Sequence, residues 1–280
     1  MDLFLKRTLF AVLACRLGEC CFVLPSLFPC RAGFPLLGML AAIIAFSPVI
    51  LFAADEKPTA VVNWIHAAEK SDQLKVDFYD PNMPPKAYPG WTDFELSLTY
   101  KFRHQTRWRL GKGNVYAVTI HPTFTAVKPA VKHVVQLPNT INQSHWEDSI
   151  LGRHELDHVA IGSHPRLLML TSHLVKNLKS VNRKADQVAD VTNEWAQAAI
   201  TAEIDLRRLA IQQLITANNV NLDLITRHGG ETVPDREAFF DRLFLKENLD
   251  ELKFLYLGES HKLLETDEYR QAKSLFHQQD

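Results

Sequence analysis

Residues 150–162 read ILGRHELDHVAIG, and the five residues from His154 to His158 form an H-E-x-x-H motif. In an α-helix, side chains at positions i and i+4 lie one above the other, so both imidazoles can bind one metal ion. The glutamate beside the first histidine can then take a proton from a water molecule whose pKa the metal has lowered to about 7. The motif predicts a helix with a hydrolytic zinc site, in which His154 and His158 bind Zn²⁺ and Glu155 is the general base and then the general acid.

Helix boundary signals lie on both sides of this motif. Ser144 to Glu147 reads SHWE, which has the form of a capping box and predicts that the helix begins there. Gly162, followed by Pro165, predicts its end. Helical spacing of apolar residues then continues over 167–178, over 184–217 and after Pro234.

The chain before the motif has a strand-like pattern, which is clearest in the alternating FELSLTYKF that begins at Phe94. Gly111 and Gly113 predict a hairpin turn. The predicted strands are Thr59–Ile65, Leu74–Tyr79, Phe94–Arg103, Asn114–Thr123 and Val131–Leu137. We expect the strand at 114–123 to line the site, where its edge can pair with an extended peptide. The predicted fold class is α+β, with an N-terminal antiparallel β-rich part followed by a helical part.

A catalytic zinc ion usually has three protein ligands and one open position, so a third ligand is required. His164 lies six residues beyond the motif, at the metzincin spacing, although the glycine of that pattern is missing. A carboxylate of the long following helix, such as Glu194 or Glu203, is a second kind of candidate. His228 lies before two glycines that allow a tight loop, and it is the third candidate. Spacing alone leaves the three alternatives open.

Several of these features occur together: Leu137-Pro138, Trp146, the H-E-x-x-H motif, a long helix, and a closing D-x-x-T-x-H-G over 223–229. In this combination, residues 115–229 resemble a bacterial family of predicted secreted zinc-dependent proteases, a zincin-like domain of unknown function. The chain departs from the family at Leu222, where a tyrosine is usual. The resemblance implies that His228 is the third zinc ligand and that peptides or proteins are the substrate.

The first 54 residues differ from the rest of the chain. Residues 32–54 carry no charge and follow four basic residues, and Ala53 and Ala54 suit a cleavage site. This pattern predicts an export signal, or a membrane anchor if the segment is retained, and therefore a periplasmic, envelope or secreted protein. All four cysteines lie within this segment, so disulfides are not expected to stabilise the remainder. The predicted organisation is a leader at 1–54, a zincin-like metalloprotease domain at 55–230 and a C-terminal helical extension at 231–280.

The overall composition excludes several classes. With 46% hydrophobic residues, 22% charged residues and a net charge of −1, the chain is neither disordered nor a nucleic-acid binder acting through excess positive charge. Arg103, Arg107, Arg109 and Lys112 are instead expected to form the solvated face of a hairpin. The alternative to a zinc peptidase is a non-catalytic envelope binding protein with a structural or vestigial metal site.

Overall fold

The computed structural model describes residues 59–82 and 88–274, which form helices and one open sheet. The α+β fold class is therefore confirmed. The predicted leader, 1–54, lies outside the described residues. Within the described residues, no helix is both long enough and apolar enough to cross a bilayer.

The sheet contains β1 (Leu74–Tyr79), β2 (Trp91–Leu110), β3 (Tyr116–Pro138) and β4 (Val181–Ala185). β2 and β3 form a long antiparallel hairpin, whose turn at 112–114 places Gly113 at a φ of 75°. β3 is central, because β4 pairs antiparallel with its first part and β1 pairs parallel with its last part. The hairpin turn predicted at Gly111 and Gly113 is confirmed.

Three of the strand predictions need correction. Residues 59–65 belong to a helix, because Val61, Ile65 and Ala68 recur at helical spacing and are all buried. Residues 116–123 and 131–137 belong to one continuous strand, β3, because the prolines inside it do not interrupt the pairing, whereas Asn114 lies in the turn before it. The β-rich part is also not wholly antiparallel, since β1 runs parallel to β3.

The helices, in chain order, are α1 (Thr59–Lys70), α2 (Ile150–Gly162), α3 (Pro165–Lys176), α4 (Asn193–Thr226), α5 (Arg236–Arg242), α6 (Lys246–Glu251), α7 (Leu257–Leu264) and α8 (Asp267–Gln271). The helix carrying the motif, α2, ends at Gly162 as predicted. It begins later than the predicted capping box, because Ser149 accepts a hydrogen bond from the backbone of Gly152 and caps the helix. The SHWE segment forms a 3₁₀ turn instead.

The helix that carries the motif is buried in the main apolar core of the described residues. Leu156, Val159 and Ile161 of α2 are buried in one apolar cluster with residues of the sheet and of the C-terminal helices. α4 begins at Asn193, later than the predicted Lys184, because residues 181–185 pair with β3 as strand β4. It is about 50 Å long at ~1.5 Å per residue, and its last turns lie beside α2.

Candidate metal centre

Two imidazoles of α2 face each other, as the i, i+4 spacing predicts. Nε2 of His154 lies 3.1 Å from Nε2 of His158, and both residues are buried. Their ring planes are nearly perpendicular, with centroids 4.6 Å apart. The structure therefore brings both predicted ligand nitrogens to one point.

The third group at this point is Asp223, from the last turn of α4. Its Oδ1 lies 3.2 Å from Nε2 of His154 and 3.1 Å from Nε2 of His158. Ligand atoms held about 2.1 Å from a tetrahedral Zn²⁺ are about 3.4 Å apart. Among the described residues, these three form the cluster with the composition and spacing to hold a metal ion.

Thr226 determines which nitrogen of His154 carries the proton. Its hydroxyl oxygen lies 3.2 Å from Nδ1 of His154 and donates its own hydrogen to the carbonyl of Leu222, at 2.8 Å. The hydroxyl must therefore accept a hydrogen bond from Nδ1–H of His154. In the neutral ring this leaves an unprotonated Nε2 facing the carboxylate of Asp223. Two electron-pair donors that face each other in this way suit a cation between them, so the donor set fits a zinc ion.

The chain turns sharply after α4 in order to close the site. Arg227, His228 and Gly229 all adopt a positive φ, at 49°, 55° and 78° respectively. Gly229 also packs against the first ligand, because a Cβ at this position would lie 2.9 Å from Cδ2 of His154. A glycine is therefore required here both for the backbone conformation and for the close approach.

Glu155, the predicted base, lies beneath the first residues of β2. Its Oε2 accepts a hydrogen bond of 2.7 Å from the hydroxyl of Thr92, and its side chain is only 1% exposed. Gly90 packs on the other oxygen, because a Cβ there would lie 2.6 Å from Oε1. Burial raises the pKa of Glu155, and the neighbouring imidazoles and Thr92 oppose this effect only in part.

The ionisable side chains of α2 and α4 that meet at this site shift each other's pKa values. Burial acts to raise the pKa of Asp223, but the neighbouring imidazoles of His154 and His158 outweigh this effect, and the pKa lies below its usual value. Burial lowers the pKa of His158, whereas Asp223 and Glu155 raise it more strongly. The site therefore combines a stable carboxylate with a cation-favouring environment.

Asp157, which had no predicted role, forms a buried ion pair with Arg236 of α5. The two nitrogen–oxygen distances are 2.5 Å and 3.1 Å. Burial raises the pKa of Asp157 and Arg236 opposes that shift. This pair joins the motif helix to the C-terminal segment.

The predicted third ligands lie at different distances from this centre. Nδ1 of His228 is 3.8 Å from Oδ1 of Asp223, and its ring stacks on Tyr88 with centroids 4.2 Å apart. The His228 side chain is 43% exposed. His228 thus borders the cluster, and its role as a ligand stays a prediction.

The other candidates are occupied elsewhere. Nδ1 of His164 accepts a hydrogen bond from the backbone of Arg166 and caps α3. Glu203 forms ion pairs with Arg183 and Arg207, and it precedes Asp223 by about 30 Å along α4. Glu194 is exposed in the first turn of the same helix, about 43 Å away.

The strand that borders the site is not the one predicted at 114–123. Residues 116–120 lie in β3, which pairs with β2 on one side and with β4 on the other, so no edge is available there. β2 instead pairs only with β3 among the described residues, and its start at Thr92 touches Glu155. The edge strand beside the site is therefore β2.

Sequence reasoning missed Asp223 and Thr226 as parts of the site. Both belong to the D-x-x-T-x-H-G segment, in which Asp and Thr are three residues apart and so share one face of a helix. That spacing was a usable signal, but the separation of 65 residues from the H-E-x-x-H motif gave no indication that the two segments meet.

No family model, curated protein or solved structure matches the chain.

Proposed function

We propose that this protein is an exported, zinc-dependent peptidase, in which His154, His158 and Asp223 hold the metal and Glu155 transfers protons. The observation that carries this proposal is that two imidazole nitrogens of α2 and one carboxylate oxygen of α4 lie within 3.2 Å of one another. Glu155 follows the first of these histidines on α2. The predicted leader at 1–54 supports export.

The donor set favours zinc over calcium or magnesium. Two nitrogen donors and one oxygen suit a borderline-soft ion, whereas calcium and magnesium prefer oxygen ligands throughout. Three protein ligands leave one position open, which is typical of catalytic zinc sites. When bound, Zn²⁺ supplies a Lewis acid that makes water acidic near neutral pH.

Glu155 has the position and the environment of a proton-transfer group. Thr92 binds Oε2, which leaves Oε1 as the atom that can take up a proton and later return it to a leaving amine. Burial raises the pKa of this carboxyl group toward the working pH, where a carboxyl can act both as base and as acid. Thr92 holds the carboxylate in place.

The exposed side of the site and the neighbouring edge strand suit an extended substrate. Asp223 is 29% exposed and, with His228 and Tyr88, marks the side from which the metal cluster can be reached. The free edge of β2 can form main-chain hydrogen bonds with a peptide, and such bonds depend little on side chains. Peptides and proteins are therefore the substrate class of this proposal.

The experiment combines metal analysis with peptide cleavage on the full chain. We expect one Zn²⁺ per chain and cleavage of members of a peptide library. Glu155→Gln should keep the zinc and lower kcat by about 10²–10⁴-fold, the usual contribution of a general base. His158→Ala should lose both zinc and cleavage. Unchanged cleavage by Glu155→Gln would refute the proposed role of Glu155.

One observation favours a second function, that of a non-catalytic envelope binding protein with a structural or vestigial metal site. Glu155 is almost fully buried beneath Thr92 and Gly90, as expected for a structural carboxylate. In that case zinc would be bound without an exchangeable water, and no peptide in the library would be cleaved. Both kinds of site are four-coordinate, so the test is the identity of the fourth zinc ligand: an exchangeable water, displaced by an added anion such as azide, indicates catalysis, and a protein side chain indicates a structural site.

A further inference from the structure

The outer half of the β2–β3 hairpin lies within a long part of the chain that has no acidic residue. No Asp or Glu occurs between Glu95 and Glu147, a stretch that contains seven basic residues: Lys101, Arg103, Arg107, Arg109, Lys112, Lys128 and Lys132. A net charge of −1 for the whole chain hides this local excess. The hairpin is therefore a candidate for contact with an anionic partner.

Strand alternation and pairing place most of these cations on one face of the sheet. Odd-numbered residues of β2 are exposed from Asp93 onward. Arg109 aligns with Ala117 of β3, which aligns in turn with Lys184 of β4. We call this surface the basic sheet face, and its members are Lys101, Arg103, Arg107, Arg109, Lys128 and Lys184. All six are exposed.

The basic sheet face has no acidic counterpart in the described part of the chain. None of its six side chains forms an ion pair there, whereas Lys132 pairs with Asp72 and Lys75 pairs with Asp77 near the other end of the sheet. Six unpaired cations on one face repel each other, and an anionic surface would relieve this repulsion.

The end of the same hairpin exposes large apolar side chains. Trp108 is 52% exposed and Leu110 is 58% exposed. The ring of Trp108 packs edge-on against Tyr116, at 5.6 Å between centroids, which holds the indole at the end of the hairpin. Lys112 lies in the turn beside them. Trp108 and Leu110 lie on the opposite face of β2 from Arg107 and Arg109, so the end of the hairpin presents apolar side chains on one face and cations on the other. Exposed Trp and Leu next to cations are typical of segments that enter the headgroup region of a bilayer.

We propose that the end of the β2–β3 hairpin docks on an anionic phospholipid bilayer. Trp108 and Leu110 enter the interface between headgroups and acyl chains, while Arg107, Arg109 and Lys184 contact lipid phosphates. This proposal is independent of the metal centre.

Two observations favour lipid over nucleic acid. Proteins that bind single-stranded nucleic acid place aromatic rings among their cations so that bases can stack on them. The basic sheet face contributes no aromatic side chain from β2, whose aromatic residues between 97 and 110 all lie at even positions, on the opposite face. A bilayer, in contrast, can bury both the indole of Trp108 and the aliphatic side chain of Leu110.

Docking through this end would hold the metal centre away from the membrane. Thr92, which contacts Glu155, precedes Leu110 by 18 residues of one strand, or about 60 Å at ~3.3 Å per residue. The site would then face soluble or peripheral partners rather than the bilayer core.

The test uses the full chain and two kinds of vesicle. One contains phosphatidylcholine alone, and the other contains phosphatidylcholine with about 30 mol% of the anionic lipid phosphatidylglycerol. Because the predicted leader would bind both kinds, the measured quantity is the ratio of the two affinities. We expect the parent to prefer anionic vesicles strongly, and the preference to fall when the salt concentration rises.

A triple variant and a matched control locate this preference. Each basic residue near a membrane contributes about fivefold to affinity, so replacing Arg107, Arg109 and Lys184 with Gln should lower the preference about 100-fold. The control replaces three exposed lysines elsewhere with Gln: Lys70, Lys246 and Lys262. The control has the same change in net charge and should keep the preference.

Fluorescence reports on the apolar part of the contact. Anionic vesicles should shift the tryptophan emission of the parent to shorter wavelength, and Trp108→Phe should remove most of that shift. An equal preference of the parent and the triple variant for anionic vesicles would overturn the proposal. So would salt-sensitive binding of the parent to single-stranded RNA without any preference for anionic vesicles, since that result would assign the basic sheet face to nucleic acid.

Discussion

The hydroxyl oxygen of Thr226 lies 3.2 Å from Nδ1 of His154. This contact links the end of α4 to the first residue of the H-E-x-x-H motif, and it directs the electron pair of Nε2 toward Asp223. A threonine on one helix thus orients a ligand on another, as outer-sphere partners do in many metal sites.

Replacing Thr226 with Val should weaken zinc binding about 10–100-fold, because the Nδ1–H group of His154 loses its buried acceptor. A competition titration with a chromogenic chelator measures this affinity. Thr226→Ser keeps the hydroxyl and should bind zinc nearly as tightly as the parent. Equal affinity of the parent and Thr226→Val would contradict the role assigned to this contact.

Substitutions at Asp223 and His228 decide which of them is the third ligand. If Asp223 binds the metal, Asp223→Ala should lower zinc affinity more than about 100-fold, which exceeds the usual effect of an outer-sphere partner. His228→Ala should still bind one zinc per chain, because its imidazole lies 3.8 Å from the carboxylate and is half exposed. The reverse pattern would identify His228 as the ligand that the family resemblance implies.

His133 of β3 should make the stability of the protein depend on pH. Its Nε2 is buried without a hydrogen-bond partner among the described residues, and burial, assisted by the charge of His158, lowers its pKa from 6.5 to about 4. Because the folded-state pKa is the lower one, the stabilisation is fully present above pH 6.5 and is lost as the pH falls toward 4. The loss amounts to about 3 kcal/mol.

Urea unfolding of metal-free protein between pH 7 and pH 4 measures this loss. His133→Asn removes the titrating group and should show a decline in the free energy of unfolding that is smaller by about 3 kcal/mol. The other histidines contribute equally to both proteins. Parallel declines would show that His133 is not held neutral by its environment.

Arg166 of α3 should be a principal attachment of the C-terminal helices. Its guanidinium is buried and donates hydrogen bonds to four backbone carbonyls, those of Asp241, Leu243, Tyr269 and Arg270. Arg166→Met would leave these acceptors without their donor and should lower the free energy of unfolding by about 3 kcal/mol or more.

Chemical denaturation checks the stability effect, and limited proteolysis shows where the structure opens. In Arg166→Met, cleavage should begin within 236–274. The matched control is Lys176→Met, which removes an exposed cation from the same helix and should change stability by less than about 0.5 kcal/mol. Similar unfolding curves for the two variants would contradict the role of Arg166.

Local patterns were sufficient to predict several parts of the structure. The alternation from Phe94 and the two glycines at 111 and 113 predicted strand β2 and its turn, because both depend on neighbouring residues. Local patterns failed where two signals competed. The SHWE segment has the form of a helix start, yet Ser149 caps α2, and the apolar residues of 59–65 suited either a strand or a helix until their packing partners were known.

The amino-acid sequence by itself determined the α+β class, the helix that carries His154, Glu155 and His158, and the face that these histidines share, because a helical turn brings residues four apart together. Only the tertiary structure decided that Asp223 joins them, that Thr226 orients His154 and that Glu155 lies beneath β2. These contacts join residues more than 60 positions apart, and only the packing of α4 and β2 against α2 brings them within hydrogen-bond distance.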